Sequence, residues 1–177
     1  MQPSESERQN WEINGDREFI SAVMRQVGAT TREETLAKLN LAPVTVATGA
    51  NAKQIGGEHY VAAVQHWDII DNHDVGYLEG CASKYVTRAR KKNGLQDLQK
   101  FDHYVEKLIE NCASRKRRPR GSVPLPDVLE FIMANRLTAL EGAIVFLLLT
   151  WSSVAHLRKA RELGTLLRET LYPQAPV

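Results

Sequence analysis

Apolar positions follow a helical period through most of the chain. Phe19, Ile20, Val23, Met24 and Val27 recur at three- to four-residue intervals until Gly28. Thr31 with Glu34 then reads as a capping box ahead of Leu36 and Leu39. Two short N-terminal helices are therefore expected after a polar leader, and residues 44–57, small and Gly-containing, read as a linker. Val64, Trp67, Ile70 and Asp71 predict a first helix that breaks near Asn72, His73 and Asp74. A second is expected over about 75–92, with Tyr77, Leu78, Cys81, Tyr85 and Val86 on its buried side and Asn93-Gly94 as its stop. A third, about 95–111, turns Leu98, Phe101, Val105, Leu108 and Ile109 inward. After a basic, proline-rich stretch the period returns over roughly 127–134, 138–153 and 155–171. No pair of alternating segments predicts strands, so the expected fold is all-α, a helical bundle. The organisation read from this pattern is an N-terminal extension and linker (1–54), a helical domain (55–112), a basic linker (113–126) and a C-terminal helical unit (127–172).

The two helical stretches invite comparison. Trp67 to Ile70 followed by Tyr77 to Gly80 parallels Leu129 to Ile132 followed by Ala139 to Gly142, at the same internal spacing. With a short gap, Leu98 aligns with Leu157, Lys100 with Lys159, and Leu108 with Leu167. Either the bundle holds two tandem copies of a helix/helix-hairpin unit, or common Leu-Glu pairs coincide. In the first case the differences matter: Lys84, Tyr85 and Arg88 face Phe146, Leu147 and Thr150. The second copy would then have lost its polar face and would stand in for the second subunit of a homodimer.

Composition excludes several classes of function. Of 177 residues, 43% are hydrophobic and 25% charged, the profile of a folded globular chain, and two cysteines cannot form a disulfide scaffold. The 23 basic and 21 acidic residues nearly cancel, so a general coating of nucleic acid is not expected. The Met1–Glu7 start lacks the order of a signal peptide, and the longest apolar run, Ala143–Leu149, is far short of the roughly 20 residues of a membrane span. No membrane association is expected, and a cytoplasmic location is.

Chemistry concentrates between residues 55 and 104. Lys84, Arg88 and Lys91 fall at i, i+4 and i+7, with Arg90 and Lys92 beside them and Lys100 across the Asn93-Gly94 turn. Such a cluster neutralises polyphosphate, unless it is a solvated face complementing a helix dipole. Gly56-Gly57-Glu58-His59-Tyr60 offers backbone amides to an anion, a proton-transfer group and a stacking ring, but the chain has no Walker A loop. The spacing of His59, His66 and His73 with Asp68, Asp71 and Asp74 does not assemble a metal site, and no metal ligands are assigned. Asp97 is an acid–base candidate or a dipole-complementing residue near a helix start, and the Arg115–Arg120 run reads as an exposed linker.

In order and spacing these residues resemble a small family of tailed-phage proteins, a domain of unknown function that includes the small nucleotide kinase of T-odd coliphages. The matching positions are Gly56-Gly57-Glu58-His59-Tyr60, Gln65-His66-Trp67, Glu79-Gly80, Lys84-Tyr85-Val86-Thr87-Arg88, Lys92-Asn93-Gly94, Asp97-Leu98-Gln99-Lys100 and His103-Tyr104. They cover about a third of the chain, residues 55–110. The resemblance implies phosphoryl transfer from a nucleoside triphosphate, ATP or a deoxynucleotide, to a nucleoside monophosphate, with no required cofactor and Mg²⁺ still compatible. It also implies homo-oligomerisation. On that reading Lys84, Arg88, Lys92 and Asp97 are catalytic together with His59 as the proton-transfer group. Gly56, Gly57, Tyr60, Tyr85, Lys91 and Lys100 bind the nucleotide. There are two departures, Phe101 where a small Ala usually follows the Lys and His66 in place of a frequent Pro; Trp67 and the bulky Phe101 are expected to reshape the nucleotide pocket, so the acceptor base is not carried over.

Two other readings compete. One is a non-enzymatic phage protein that binds a host factor or sequesters a nucleotide. The other is an all-α nucleotide pyrophosphohydrolase, whose Mg²⁺-binding carboxylates should face each other across two helices. Three residues beyond Glu79 stands Ala82, and three beyond Asp97 stands Lys100, so the expected site is cationic where that enzyme needs an anionic one.

Overall fold

Turn chemistry sets where each helix begins. The Asp68 carboxylate accepts from the Gln65 N–H at 3.2 Å and opens α1, His66–Asn72. Gly76 precedes α2, Tyr77–Arg88, and Gly94 precedes α3, Leu95–Ala113. Pro124 precedes α4, Leu125–Ala134, with Pro126 in its first turn, where a missing N–H costs no helical bond. Thr138 and Glu141 exchange capping hydrogen bonds at the start of α5, Ala139–Leu149, and Ser153 precedes α6, Val154–Leu171. The computed structural model describes residues 49–53, 62–114 and 123–173. The N-terminal helices expected over 16–28 and 31–43, Gly56 to Tyr60, and the 115–120 basic run lie outside the described residues. Among those described, the architecture is an all-α bundle of six helices without strands. No described helix is long and apolar enough to cross a membrane.

The six helices form two runs of three with one plan, a short helix followed by an antiparallel-type hairpin. Like packs on like across the molecule: α1 on α4, α2 on α5, α3 on α6. Positions 62 residues apart are equivalent through the first two helices of each run. Ile70 lies under Gly80, and Ile132 under Gly142. The non-glycine residues with positive φ, Asp74 (49°) and Arg136 (53°), occupy the same place after α1 and α4. The reversals that follow are closed by the same bonds, Val75 N to Ile70 O and Leu137 N to Ile132 O. Between α3 and α6 the offset is 59, because the second hairpin connection is shorter. The buried apolar positions of α3 still have buried equivalents: Leu98, Phe101, Val105 and Leu108 against Leu157, Ala160, Gly164 and Leu167. The repeat read from a handful of identities is thus a repeat of geometry.

The centre is filled by α2 and α5 with the inner faces of α3, α4 and α6. Val86, Leu98, Phe101, Val105, Phe131, Ile144, Val145, Leu148 and Leu157 are buried there. Residue sizes are complementary where α3 meets α6, since a Cβ at Gly164 would run into the Phe101 ring. Each run also holds a buried carboxylate reached by the other. Glu79 accepts from Trp151 Nε1 at 3.1 Å, and Glu141 is gripped by Arg90 through two bonds of 2.8 Å.

Two expectations for α2 need correcting. Its buried side is not Tyr77, Leu78, Cys81, Tyr85 and Val86: of these only Val86 is buried, and Tyr77 is 71% exposed. The buried face carries Glu79, Gly80, Ala82, Ser83, Val86, Thr87 and Arg88. Wedged between α3 and α5, this face uses small residues for close approach and satisfies its polar groups internally. Ser83 Oγ donates to Gly80 O and Thr87 Oγ1 to Ser83 O. The helix also stops at Arg88, not near Lys92. Ala89–Lys91 tightens into a 3₁₀ turn, Gly94 N bonds back to Ala89 O, and Gly94 takes a positive φ of 55° against the Tyr172 side chain.

Candidate functional site

The α2–α3 hairpin carries a ladder of polar and aromatic side chains along one side. Tyr77, Cys81, Lys84 and Arg88 recur at i, i+4, i+7 and i+11 on α2, and Asp97, Lys100 and Tyr104 recur at i, i+3 and i+7 on α3. Because the helices run back on each other across Asn93-Gly94, the rungs meet. Nearest the turn, Arg88 grips Asp97 in a fork, Nε to Oδ2 at 2.9 Å and Nη2 to Oδ1 at 3.0 Å. Asp97 is fully buried and Arg88 is 9% exposed. Lys100 Nζ reaches the same carboxylate at 3.8 Å, and Asn93 donates to it at 3.4 Å. Burial pushes the Asp97 carboxyl up, but the Arg88 hydrogen bonds and charge outweigh it and hold the group below its ordinary value.

The next rung is aromatic. The Tyr85 ring has the Arg88 guanidinium carbon 4.8 Å and Lys100 Nζ 5.4 Å from its centroid, both within cation–π range. Tyr104 stacks on the same ring at 5.6 Å and 29°. Tyr77 closes the far end, edge-on to Tyr104 at 6.1 Å, with the two hydroxyls 3.4 Å apart. The Tyr77 contact, then Cys81, raise the Tyr104 phenol above its ordinary range and keep it protonated. Arg88 and Lys100, two cations on one carboxylate, Asp97, stand beside a stack of rings.

Of the residues singled out in the sequence, Arg88, Asp97, Lys100 and Tyr85 come together here. Lys84 lies one turn before Arg88 on the same helix, half-buried, and Lys92 is exposed at the hairpin turn. Lys91 does not join them, contrary to the helical spacing, because the 3₁₀ turn after Arg88 swings it toward the other run. Its ammonium donates to Asn135 O at 3.0 Å, and burial, then the Arg90 charge, lower its pKa. Gly56, Gly57, His59 and Tyr60 lie outside the described residues. Among the described residues no group of three or more His, Cys, Asp and Glu side chains comes together as metal ligands would.

Residues 55–106 match a family model. It is DUF3310, described as a protein of unknown function. The match spans 52 of the 177 residues and contains every rung of the ladder, while α4 to α6 fall outside it. No curated protein and no solved structure matches the chain.

The matched segment also holds a buried histidine. His66 Nε2 lies 2.9 Å from Ser83 Oγ, its ring is edge-on to Phe131, and burial, helped by the Lys84 charge, lowers its pKa to about 3. The folded protein holds it neutral while the unfolded chain protonates it near 6.5, so between about 6.5 and 3 the unfolded state binds more protons. Stability should therefore fall as pH drops through that window, at up to about 1.4 kcal/mol per pH unit. Thermal melts from pH 7.5 to 4 test this: His66→Gln should flatten the limb between 6.5 and 5. Superimposable wild-type and variant profiles would refute it.

The sequence reading missed Tyr77 and Tyr104 as one stack and the cross-run grips on Glu79 and Glu141. The first had a signal, the i, i+4, i+7, i+11 stripe of Tyr77, Cys81, Lys84 and Arg88. The second had none, since nothing in the spacing of Glu79 points to Trp151, 72 residues on.

Proposed function

We propose that the DUF3310 segment binds a nucleotide along the α2–α3 hairpin and transfers a phosphoryl group from a nucleoside triphosphate to a nucleoside or deoxynucleoside monophosphate, without a Walker loop. The observation that carries this is the Arg88–Asp97–Lys100 group set against the Tyr85 ring: cations for phosphate beside an aromatic stack for a base. The resemblance to the tailed-phage nucleotide kinase family supplies the reaction. Lys84, Lys92 and Lys100 are the cations assigned to the phosphates, since a transferring phosphoryl group spreads negative charge that preorganised cations stabilise. Arg88 and Asp97, locked to each other, fix the hairpin on which those lysines stand and add the guanidinium edge. His59 is assigned proton transfer, Gly56 and Gly57 amide contacts to phosphate, and Tyr60 and Tyr85 stacking. ATP or a deoxynucleoside triphosphate is the donor, and self-association of whole chains belongs to the same reading.

The pyrophosphohydrolase reading finds less support. It needs facing carboxylates to hold Mg²⁺, whereas Asp97 is forked by Arg88 and Glu79 accepts from Trp151.

The test is a transfer assay with ATP and each deoxynucleoside monophosphate, with Mg²⁺ and with EDTA, on wild type and Lys84→Ala. Diphosphate product that persists in EDTA is expected. Lys84→Ala should lose at least about 100-fold in turnover, roughly 2.7 kcal/mol of transition-state stabilisation, with unchanged circular dichroism. Equal turnover of wild type and a folded Lys84→Ala protein would remove the lysine from the mechanism. Binding of nucleotide without product would make the segment a nucleotide-binding module, and binding of neither would end the proposal.

A further inference from the structure

We infer that the exposed end of the ladder, the Tyr77–Tyr104 pair, is a nucleobase subsite, and that the second run of described helices carries no counterpart of it. The inference rests on the nucleotide reading above and adds where the base lies. Tyr85, the ring first assigned to stacking, is half-buried and already carries Tyr104, Arg88 and Lys100 against it. Tyr77 has the opposite setting. It is 71% exposed, the most exposed large apolar side chain among the described residues, and its ring is held in place by the edge contact to Tyr104. An aromatic ring held open to water at that angle costs burial energy and offers a flat face to a planar partner.

The surroundings select the chemistry of that partner. Tyr77 to Arg88 spans roughly 16 Å at 1.5 Å per residue, the scale of an extended nucleotide, with rings at one end and cations at the other. On α3, the side facing the ladder carries Lys100, His103 and Lys107. Lys107 is bridged to Glu110 at 2.8 Å, Asp97 is paired with Arg88 and Lys100, and Asp102 and Glu106 turn away to Arg161 on α6. The patch is thus aromatic and cationic, which suits a base joined to phosphate better than an apolar peptide. Stacking alone is tolerant of base identity, because every base has a π face. Discrimination would then come from the two phenol hydroxyls, Tyr77 Oη and Tyr104 Oη, at the ring edges.

The other described run carries no counterpart. Its positions equivalent to Tyr77, Tyr85 and Tyr104 are Ala139, Leu147 and Leu163, and the equivalent of Arg88 is Thr150. None of these can stack on a base or pair with phosphate, although the backbone plan is the same.

Calorimetric titration of the full chain with a deoxynucleoside monophosphate and, separately, with inorganic pyrophosphate tests the assignment. Wild type should bind both probes. Tyr77→Ala should weaken the nucleotide by about 5- to 100-fold while leaving pyrophosphate affinity within twofold. Tyr77→Phe should retain stacking and most of the affinity. Tyr77 is too exposed for its truncation to unfold the protein, so a loss specific to the nucleotide reads the base. Unchanged nucleotide affinity in Tyr77→Ala, or equal weakening of nucleotide and pyrophosphate, would overturn the base subsite while leaving the phosphate site standing. Wild type that binds neither probe would overturn the nucleotide reading itself, and this inference with it.

Discussion

Arg88→Ala is expected to cost about 3–5 kcal/mol of stability, because it strands the Asp97 carboxylate, fully buried, without its forked partner. For a chain whose whole stability is on the order of 5–15 kcal/mol, that is a large share. Replacing both groups by apolar side chains, Arg88→Met with Asp97→Leu, should recover most of the loss, less roughly 0.3–1 kcal/mol for the acidic residue in the first turn of α3. Urea denaturation of the two variants and wild type reads this directly. A single variant as stable as wild type would mean the pair contributes no net stabilisation. The pair should also leave a mark on the acid limb. The Asp97 pKa is lowered in the folded state, so its contribution is present above the unfolded value of about 3.9 and is lost as pH falls through the folded one. The double variant should lack that limb. It also separates structure from chemistry: folded and active, it makes the pair a brace; folded and inactive, it puts at least one of the two groups at the reaction.

The second large effect is expected where α3 meets α6. Phe101→Ala should lose about 3–5 kcal/mol by opening a cavity in the middle of the bundle. Gly164→Ala, which on an exposed helix would gain about 1 kcal/mol from propensity, should instead lose about 1–3 kcal/mol, because the new Cβ meets the Phe101 ring. The pair Phe101→Leu with Gly164→Ala should be less destabilised than the sum of its parts, by an interaction term on the order of 1 kcal/mol. Chemical denaturation of the four proteins completes the cycle. Strict additivity, or a Gly164→Ala protein more stable than wild type, would show that the ring does not occupy that space.

The all-α class was legible because apolar residues on α3 and α6 repeat with the helical period, and all four buried apolar positions of α3 were among those the period pointed to. The repeat was legible from Gly80 and Gly142 with their upstream Ile residues, where a small residue is needed for one helix to approach another. What escaped was α2. Its buried face is written in Glu79, Ser83, Thr87 and Arg88, polar types that a hydrophobic period cannot detect, and its outward face carries Tyr77 and Tyr85, which imitate a core stripe. The cation cluster was half legible. Lys84 and Arg88 kept their helical spacing, but Lys91 lay beyond the point where the backbone tightens, and no residue type at Ala89 announces a 3₁₀ turn. The grips between runs depend on contacts that only folding creates.

The unequal partners at the α3–α6 seam act as a ratchet on assembly. A pair made of two first runs would set Phe101 against Val105, which stands where Gly164 stands now, and the ring would have no room. Two second runs would set Ala160 against Gly164 and leave a void. Each run is a lock cut for the other, so two identical subunits meeting through this seam would need coordinated change at both 101 and 164. Single steps in either direction pass through a chain that is overfilled or hollow.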